Sequence, residues 1–172
     1  MEINATKRGL EIFDVLGEEL RWKNFEGRED KWGNARRNFS IRLPEDVAQQ
    51  LHEDGWNIQY LDSDKYDPGL KVSLTFNYKA LEIFQISGEN GKRMRKLDEE
   101  TVCNLDYAEI DHCDIIINAR TSDQYDGISA GLETMWIYLK RNDLKDRYES
   151  RYRLVGDGEY ELIEDEEEVP FE

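Results

Sequence analysis

The chain has few of the residues that form covalent or metal-linked frameworks, with two cysteines and two histidines. Cys103 and Cys113 give no disulfide framework, which makes a reduced, cytoplasmic setting the default. The cysteines form no C-x2-C pair. The neighbours His112 and Cys113 would point to opposite faces of a strand, so structural roles are favoured over a metal site.

Catalytic and cofactor motifs are also missing. The sequence contains no G-x-S-x-G, no phosphate-binding P-loop and no G-x-G-x-x-G. Carboxylates are so numerous that no acid pair stands out as a general acid and base. We therefore expect a non-catalytic protein without a cofactor. The opening residues lack a basic, apolar leader, and no apolar run approaches membrane-spanning length, so neither a secretion signal nor a membrane segment is expected.

The length of 172 residues suggests one domain, and 38% hydrophobic residues suffice for a core. The net charge of −16 is uneven. Residues 155–172 contain nine acids and no Lys or Arg, which leaves 30 acids against 23 bases, a net of −7, in the rest. The sequence thus predicts a domain at 1–154 that is closer to charge balance, followed by a flexible acidic tail at 155–172.

Short alternating segments predict a mainly β protein of the α+β class. Brief helices are expected after Pro44, after Asp98 and at 143–151. Without a βαβ rhythm, an antiparallel α+β fold or a small barrel is favoured. The predicted strands are 20–26, 36–43, 56–60, 70–78, 81–86, 114–119 and 128–139.

Basic and aromatic residues interleave in two segments, the first between residues 21 and 39 and the second around residues 92–96. Cations neutralise phosphates, and aromatic rings stack on unpaired bases of any sequence. The alternative is that the rings are core residues and the cations a solvated face. Trp56, Phe76 and Trp136, like Ile115 and Ile117, fit a core role better. The predicted nucleic-acid contacts are Arg21, Lys23, Phe25, Arg28, Lys31, Trp32, Arg36, Arg37, Lys71, Tyr78, Phe84, Lys92, Arg93, Arg95 and Lys96.

The end of the chain joins an acidic run to a short apolar segment. Such runs are commonly solubilising, but a solubilising tail needs no apolar anchor like Phe171 after the stiff Pro170. We therefore predict a partner-binding segment formed by Asp165, Glu166, Glu167, Glu168, Val169, Pro170 and Phe171.

This tail resembles the acidic C-terminal tip of bacterial single-stranded-DNA-binding proteins, although here Glu172 follows Phe171. The body resembles a group of bacteriophage single-stranded-DNA-binding proteins of the OB-fold type. The resemblance implies an OB-like antiparallel β-barrel with a cationic, aromatic-lined groove for unpaired DNA. It also implies a tail that recruits replication or recombination enzymes. The segments that carry the body resemblance are 24–29, 37–41, 48–51, 54–57, 97–102, 105–110 and 127–132.

These observations predict a phage single-stranded-DNA-binding protein, non-catalytic and sequence-independent, located in the host cytoplasm. Arg and Lys would hold phosphates, while Trp32, Phe25, Tyr78 or Phe84 would stack bases. The tail would recruit partners and compete with DNA for the groove, and a homo-oligomer is possible. The competing hypothesis is an acidic DNA mimic that binds a host nuclease, which the net charge favours.

Overall fold

The computed structural model describes residues 1–61, 67–76 and 81–163. Within them the chain is mainly β, as the sequence predicted. Three short 3-10 turns lie at Gly17–Glu19, Glu89–Gly91 and Val102–Asp106. The helices are α1 (Glu45–Glu53) and α2 (Asp143–Arg151), and the strands are β1 (Glu2–Ala5), β2 (Gly9–Leu16), β3 (Leu20–Asn24), β4 (Asn38–Arg42), β5 (Gln59–Tyr60), β6 (Pro68–Ser73), β7 (Glu82–Ser87), β8 (Arg93–Leu97), β9 (Ile110–Ser122), β10 (Tyr125–Leu139), β11 (Tyr152–Gly156) and β12 (Glu159–Leu162).

The long hairpin of β9 and β10 organises the main sheet. These strands have 13 and 15 residues and pair in antiparallel fashion. The other edge of β10 pairs first with β6 and then with β7, both in parallel, so the sheet branches at β10. The prediction of a purely antiparallel arrangement therefore holds for most of the strand pairs but not for these two.

The sheet is open along its strand path. The order is β1-β2-β9-β10-β6-β4-β3, with β7 and β8 on the branch and β5 beside β6. Within the described part of the chain, no pairing joins the two ends of this path. The predicted OB-like barrel is therefore not confirmed, although the mainly β fold class is.

The core occupies one face of this sheet. Ile115 and Ile117 of β9 are buried as predicted, and they pair with Met135 and Leu132 of β10. Trp56 is also buried and joins the core through a bridge to Ile128. Because side chains alternate across a strand, the opposite face of these strands carries a second set of residues away from the core.

The helices begin and end where the local chemistry requires. Pro44 directly precedes α1, and Gly55 follows its last turn with a φ of 98°, a conformation that glycine adopts without strain. The Asp98 carboxylate accepts the backbone N–H groups of Glu100 and Thr101, as expected for a cap, but the helix it precedes is only the 3-10 turn beginning at Val102.

The C-terminal part differs from the prediction. Strands β11 and β12 form a separate two-stranded hairpin, so the expected tail boundary at residue 155 falls inside a strand. The remaining tail, residues 164–172, lies outside the described residues, as does Tyr78. Of the predicted strand at 70–78, residues 70–73 belong to β6 and residues 74–76 are not in a strand, while residues 77 and 78 lie outside the described residues.

Candidate nucleic-acid interface

Four aromatic rings lie on the face of the sheet opposite the core. We define the aromatic face as Phe84, His112, Trp136 and Tyr138, which come from the adjacent strands β7, β9 and β10. In the strand register Trp136 lies beside Phe84, and Tyr138 lies beside His112. All four residues are half-buried. Sequence-distant segments thus form one continuous aromatic surface.

The rings of the aromatic face stack in pairs. The centroids of Phe84 and Trp136 are 6.2 Å apart with an interplanar angle of 15°. His112 and Tyr138 lie closer, at 4.3 Å and 13°. His112 is oriented further by a 2.6 Å contact between its Nδ1 and the Asp111 carboxylate. Strand pairing thus holds these nearly parallel rings in a fixed arrangement, in which the two rings of each pair cover one face of each other.

A β-bulge explains why Trp136 was wrongly assigned to the core. The register of β10 against β9 shifts between Leu132 and Thr134, so Glu133 is an additional residue in the strand. A bulge inverts the alternation that follows it. Leu132 and Met135 therefore both face the core, and Trp136 faces outward.

Few charges accompany the aromatic face. Lys96 of β8 lies beside Phe84 in the register, and its Nζ is 3.6 Å from the Glu82 carboxylate. Met94, on the same face of β8, is exposed. Asp114 lies beside Trp136. The surface therefore offers stacking more than charge.

Polar and basic residues continue the same face beyond the bulge. Ser73, Gly131 and Asn118 form one row across β6, β10 and β9. A side chain at Gly131 would clash with the guanidinium of Arg120, which lies over this strand. Arg120 was not singled out in the sequence analysis. Only the pairing of β9 with β10 shows that Gly131 leaves the space that the Arg120 side chain occupies.

Two of the predicted contacts, Arg21 and Lys71, meet on this continuation. Both lie beside Ser40 of β4, from β3 on one side and β6 on the other. The Ser40 hydroxyl accepts a 2.9 Å hydrogen bond from the Gln59 amide. Lys71 is exposed and Arg21 half-buried. The strand pairing therefore brings these two cations to the same face of the sheet as the aromatic face.

The first basic segment forms an anchored loop, which we call the basic loop (residues 25–37). The Asn24 side chain accepts the N–H groups of Gly27 and Arg28 and donates to the carbonyls of Arg28 and Arg36. From the other side, the Asp106 carboxylate accepts the N–H groups of Phe25 (2.8 Å) and Glu26 (3.0 Å). These bonds fix the base of the loop.

The tip of the basic loop presents Trp32 to solvent. Trp32 is 74% exposed, and the Lys31 Nζ lies 4.4 Å from its ring centroid. The Asp30 carboxylate accepts the N–H groups of Trp32 and Asn34. Hydrogen bonds from Asn34 are the largest cause that holds the pKa of Asp30 below its ordinary value. Arg36 is an exposed cation near Asp30. Arg28 is also exposed, but it donates to the Lys23 carbonyl at 3.2 Å and lies 3.9 Å from the Glu26 carboxylate, at the base of the loop.

Three further predicted contacts have structural roles in this region. Phe25 is fully buried and stacks on Phe39 at 5.4 Å, so the prediction that it stacks a base is corrected. Lys23 donates to the Leu105 carbonyl at 3.3 Å. Arg37 donates to the carbonyls of Phe25 and Glu99 at 3.1 and 3.0 Å.

The second basic segment is divided between two faces. Lys96 lies on the aromatic face, whereas Arg95 lies beside Gln85 and faces the other way. Arg93 binds the Glu149 carboxylate of α2 at 3.0 Å. Lys92 is exposed just before β8. Of these four cations, the strand register places only Lys96 beside the stacked rings.

His112 and Cys113 lie on opposite faces of β9, as predicted. Cys113 is buried, and burial raises the pKa of its thiol. In the described part of the chain, no cluster of three or more His, Cys, Asp or Glu side chains is arranged to hold a metal ion. His112 therefore belongs to the aromatic face.

Comparison with curated proteins and with solved structures finds no match. Neither α1, α2 nor any other helix in the described residues has the length and apolarity needed to cross a membrane. A family model described as "Putative phage ssDNA-binding domain" matches residues 4–166. Since that range covers nearly the whole chain, from β1 through the C-terminal hairpin, the protein belongs to this family of phage single-stranded-DNA-binding domains.

Proposed function

We propose that the protein binds single-stranded DNA without sequence preference during phage replication or recombination, and that it is not an enzyme. The aromatic face is the observation that carries this proposal. Within the described residues, four half-buried rings from three strands lie outside the core cluster, and only Tyr138 packs beside a buried aliphatic residue of the same face, Ile86. Unpaired bases stack on such rings, whereas bases inside a duplex do not reach them.

The contact residues divide into two groups. Phe84, Trp136 and Tyr138 stack bases. Cations contact phosphates, from Arg21, Lys71 and Lys96 on the sheet and from the tip of the basic loop, where Trp32 adds one exposed ring. Every base has a π face, so stacking of this kind does not depend on sequence.

The acidic tail has a separate role in this proposal. Residues 165–171 recruit replication or recombination enzymes through Phe171, while the carboxylates compete with DNA for the cations. The charge distribution supports this, since nine acids and no Lys or Arg occupy residues 155–172.

The test is binding of the full chain to labelled oligo-dT across a salt series, with a duplex of equal length as control. We expect tighter binding to oligo-dT and weaker binding as salt rises. No binding at low salt would overturn the proposal. A variant in which the five acids at residues 164–168 are changed to Asn or Gln tests the tail. It should bind oligo-dT more tightly than the wild type. Weaker binding would refute the competition between the tail and DNA, but not DNA binding itself.

The net charge of −16 favours one rival, an acidic mimic of DNA that occupies a host nuclease. The two hypotheses differ in the same measurement. A mimic would leave oligo-dT unbound at every salt concentration and would instead inhibit a nuclease at stoichiometric amounts.

A further inference from the structure

The C-terminal hairpin has one uncharged face made of aromatic and aliphatic side chains. In its register Tyr152 lies beside Leu162, and Leu154 lies beside Tyr160. These four side chains therefore share one face. We call them the hairpin face.

The opposite face of the hairpin is charged. Arg153 and Glu161 are neighbours there, and their side chains approach to 3.7 Å. The hairpin is thus amphipathic, and this pattern is typical of two strands that bury one face and expose the other to solvent.

Within the described residues nothing covers the hairpin face. Tyr152, Leu154, Tyr160 and Leu162 are 40%, 63%, 66% and 55% exposed. An isolated two-stranded hairpin is at best marginally stable in water, because it cannot bury an apolar face by itself. The hairpin also lies within the matched family domain, which extends to residue 166.

The hairpin face continues into a cleft against α2. This cavity of about 540 Å³ is lined by Tyr148, Tyr152 and Tyr160, with Arg93 and Glu149 at its wall. Tyr148 of α2 is itself exposed. The apolar surface is therefore larger than the four hairpin residues alone.

We propose that the hairpin face packs against the same face of a second copy of this chain and forms a two-fold symmetric dimer. The hairpin face carries no charge, so it offers phosphate no cation to pair with. In contrast, it lets two chains of net charge −16 meet without bringing acids together at the centre of the contact.

The charges around the hairpin face also complement each other. Residues 140–153 contain six bases and three acids, whereas residues 155–163 contain three acids and no base. In a two-fold arrangement the basic segment of one copy can lie near the acidic strand of the other.

The area indicates a weak dimer. The four exposed side chains present roughly 400 Å² of apolar surface, from typical side-chain areas. That is as large as the largest patch on many monomers, but it is about half of what each partner contributes to a standard stable interface. We therefore expect association that depends on concentration in the micromolar range. This proposal does not depend on DNA binding.

Sedimentation of the full chain over a concentration series, without DNA, tests the proposal. The wild type should pass from monomer to dimer. Leu154→Ser with Leu162→Ser should raise the dissociation constant at least tenfold, while Leu16→Ser, which changes an exposed leucine of β2, should not. A wild type that stays monomeric throughout would overturn the proposal, as would a dimer that forms only when oligo-dT is added.

Cross-linking tests the same contact in a chain whose hairpin is folded. In a Cys103→Ser background, Tyr160→Cys should form a disulfide-linked dimer on mild oxidation, whereas Arg153→Cys on the opposite face should not. Equal cross-linking of both variants would refute the hairpin face as the contact. If Phe171→Ser alone converted a monomeric chain into a dimer, the chain's own tail would be the occupant, and the proposal would be wrong.

Discussion

The aromatic face and the basic loop are built by different means. Strand register holds the rings of the aromatic face, and few charges accompany them. The basic loop is instead held by hydrogen bonds that its backbone N–H groups donate to the side chains of Asn24, Asp30 and Asp106, and it offers several cations with a single exposed ring. Stacking depends weakly on salt and phosphate contacts depend strongly on it. The two regions should therefore contribute separable parts of the DNA affinity.

The largest effect should come from removing rings of the aromatic face. Each base–aromatic stack contributes about 1–3 kcal/mol. We expect Phe84→Leu with Trp136→Leu to weaken oligo-dT binding at least tenfold, without changing the slope of affinity against salt. Fluorescence anisotropy at several salt concentrations measures both quantities.

The matched control for that double variant is Tyr60→Leu, which removes an exposed ring from β5. It should bind as the wild type does. Circular dichroism and thermal unfolding confirm that each variant is folded. If the control lost as much affinity as the double variant, stacking on the aromatic face would be refuted.

Removing charge from the basic loop should change the slope of DNA affinity against salt, which the loss of rings leaves unchanged. Arg28→Gln, Lys31→Gln and Arg36→Gln together remove three cations whose side chains are exposed. For single strands the salt slope changes by about 0.7 per phosphate contact, so we expect it to become shallower by about 2. An unchanged slope would show that the loop does not contact phosphates. Lys7→Gln, Lys140→Gln and Arg151→Gln, at three exposed cations outside both regions, provide a control of equal charge.

Trp32→Ala should have a smaller effect, because it removes one ring and leaves the cations in place. We expect a loss of about 1 kcal/mol, at the lower end for a stacked base, with the salt slope retained. Quenching of tryptophan fluorescence by oligo-dT should also decrease. Wild-type affinity and undiminished quenching in this variant would exclude Trp32 from the interface.

Local alternation predicted much of the fold, and two bulges account for its main errors. Ile115 and Ile117 were correctly placed in the core, and His112 and Cys113 on opposite faces. Alternation in 20–26 grouped Phe25 with Lys23, but the register shifts between Arg21 and Asn24, and Trp22 has a φ of 50°. Phe25 is therefore buried and Trp22 exposed.

The pairing of strands that are distant in sequence could not be predicted from local patterns either. Phe84 and Trp136 are far apart in sequence and become neighbours only because β7 pairs with β10 in parallel. Two-residue periodicity describes one strand at a time, whereas a surface built from three strands depends on their order and register. The exposed cations of the basic loop were easier to predict, since their local composition already set them apart from the acidic chain.

The smallest effect on DNA affinity should come from the Asp30 carboxylate, which holds the tip of the basic loop. The pKa of Asp30 lies below its ordinary value of 3.8, because the ionised form accepts the N–H groups of Asn34 and Trp32. A lowered carboxyl pKa stabilises the loop tip fully above the ordinary value, and this stabilisation is lost as the pH falls through the lower, folded-state pKa. The tip should therefore be insensitive to pH between 8 and 5, with a transition only below about pH 4.

Fluorotryptophan NMR can follow this transition at Trp32, with Trp32→Phe assigning the signal. In Asp30→Ala the carboxylate is gone, so the acid transition of the Trp32 signal should disappear and oligo-dT affinity at neutral pH should fall only a few-fold. Asp30→Asn keeps an acceptor oxygen but has no titratable carboxyl, so its acid transition should also disappear, while its oligo-dT affinity should lie between those of the wild type and Asp30→Ala. If the transition persisted in Asp30→Ala, another carboxylate would control the tip. The position of Trp32 would then depend on that second carboxylate instead of Asp30, and the loop tip would still differ from the aromatic face in being held by a titratable group.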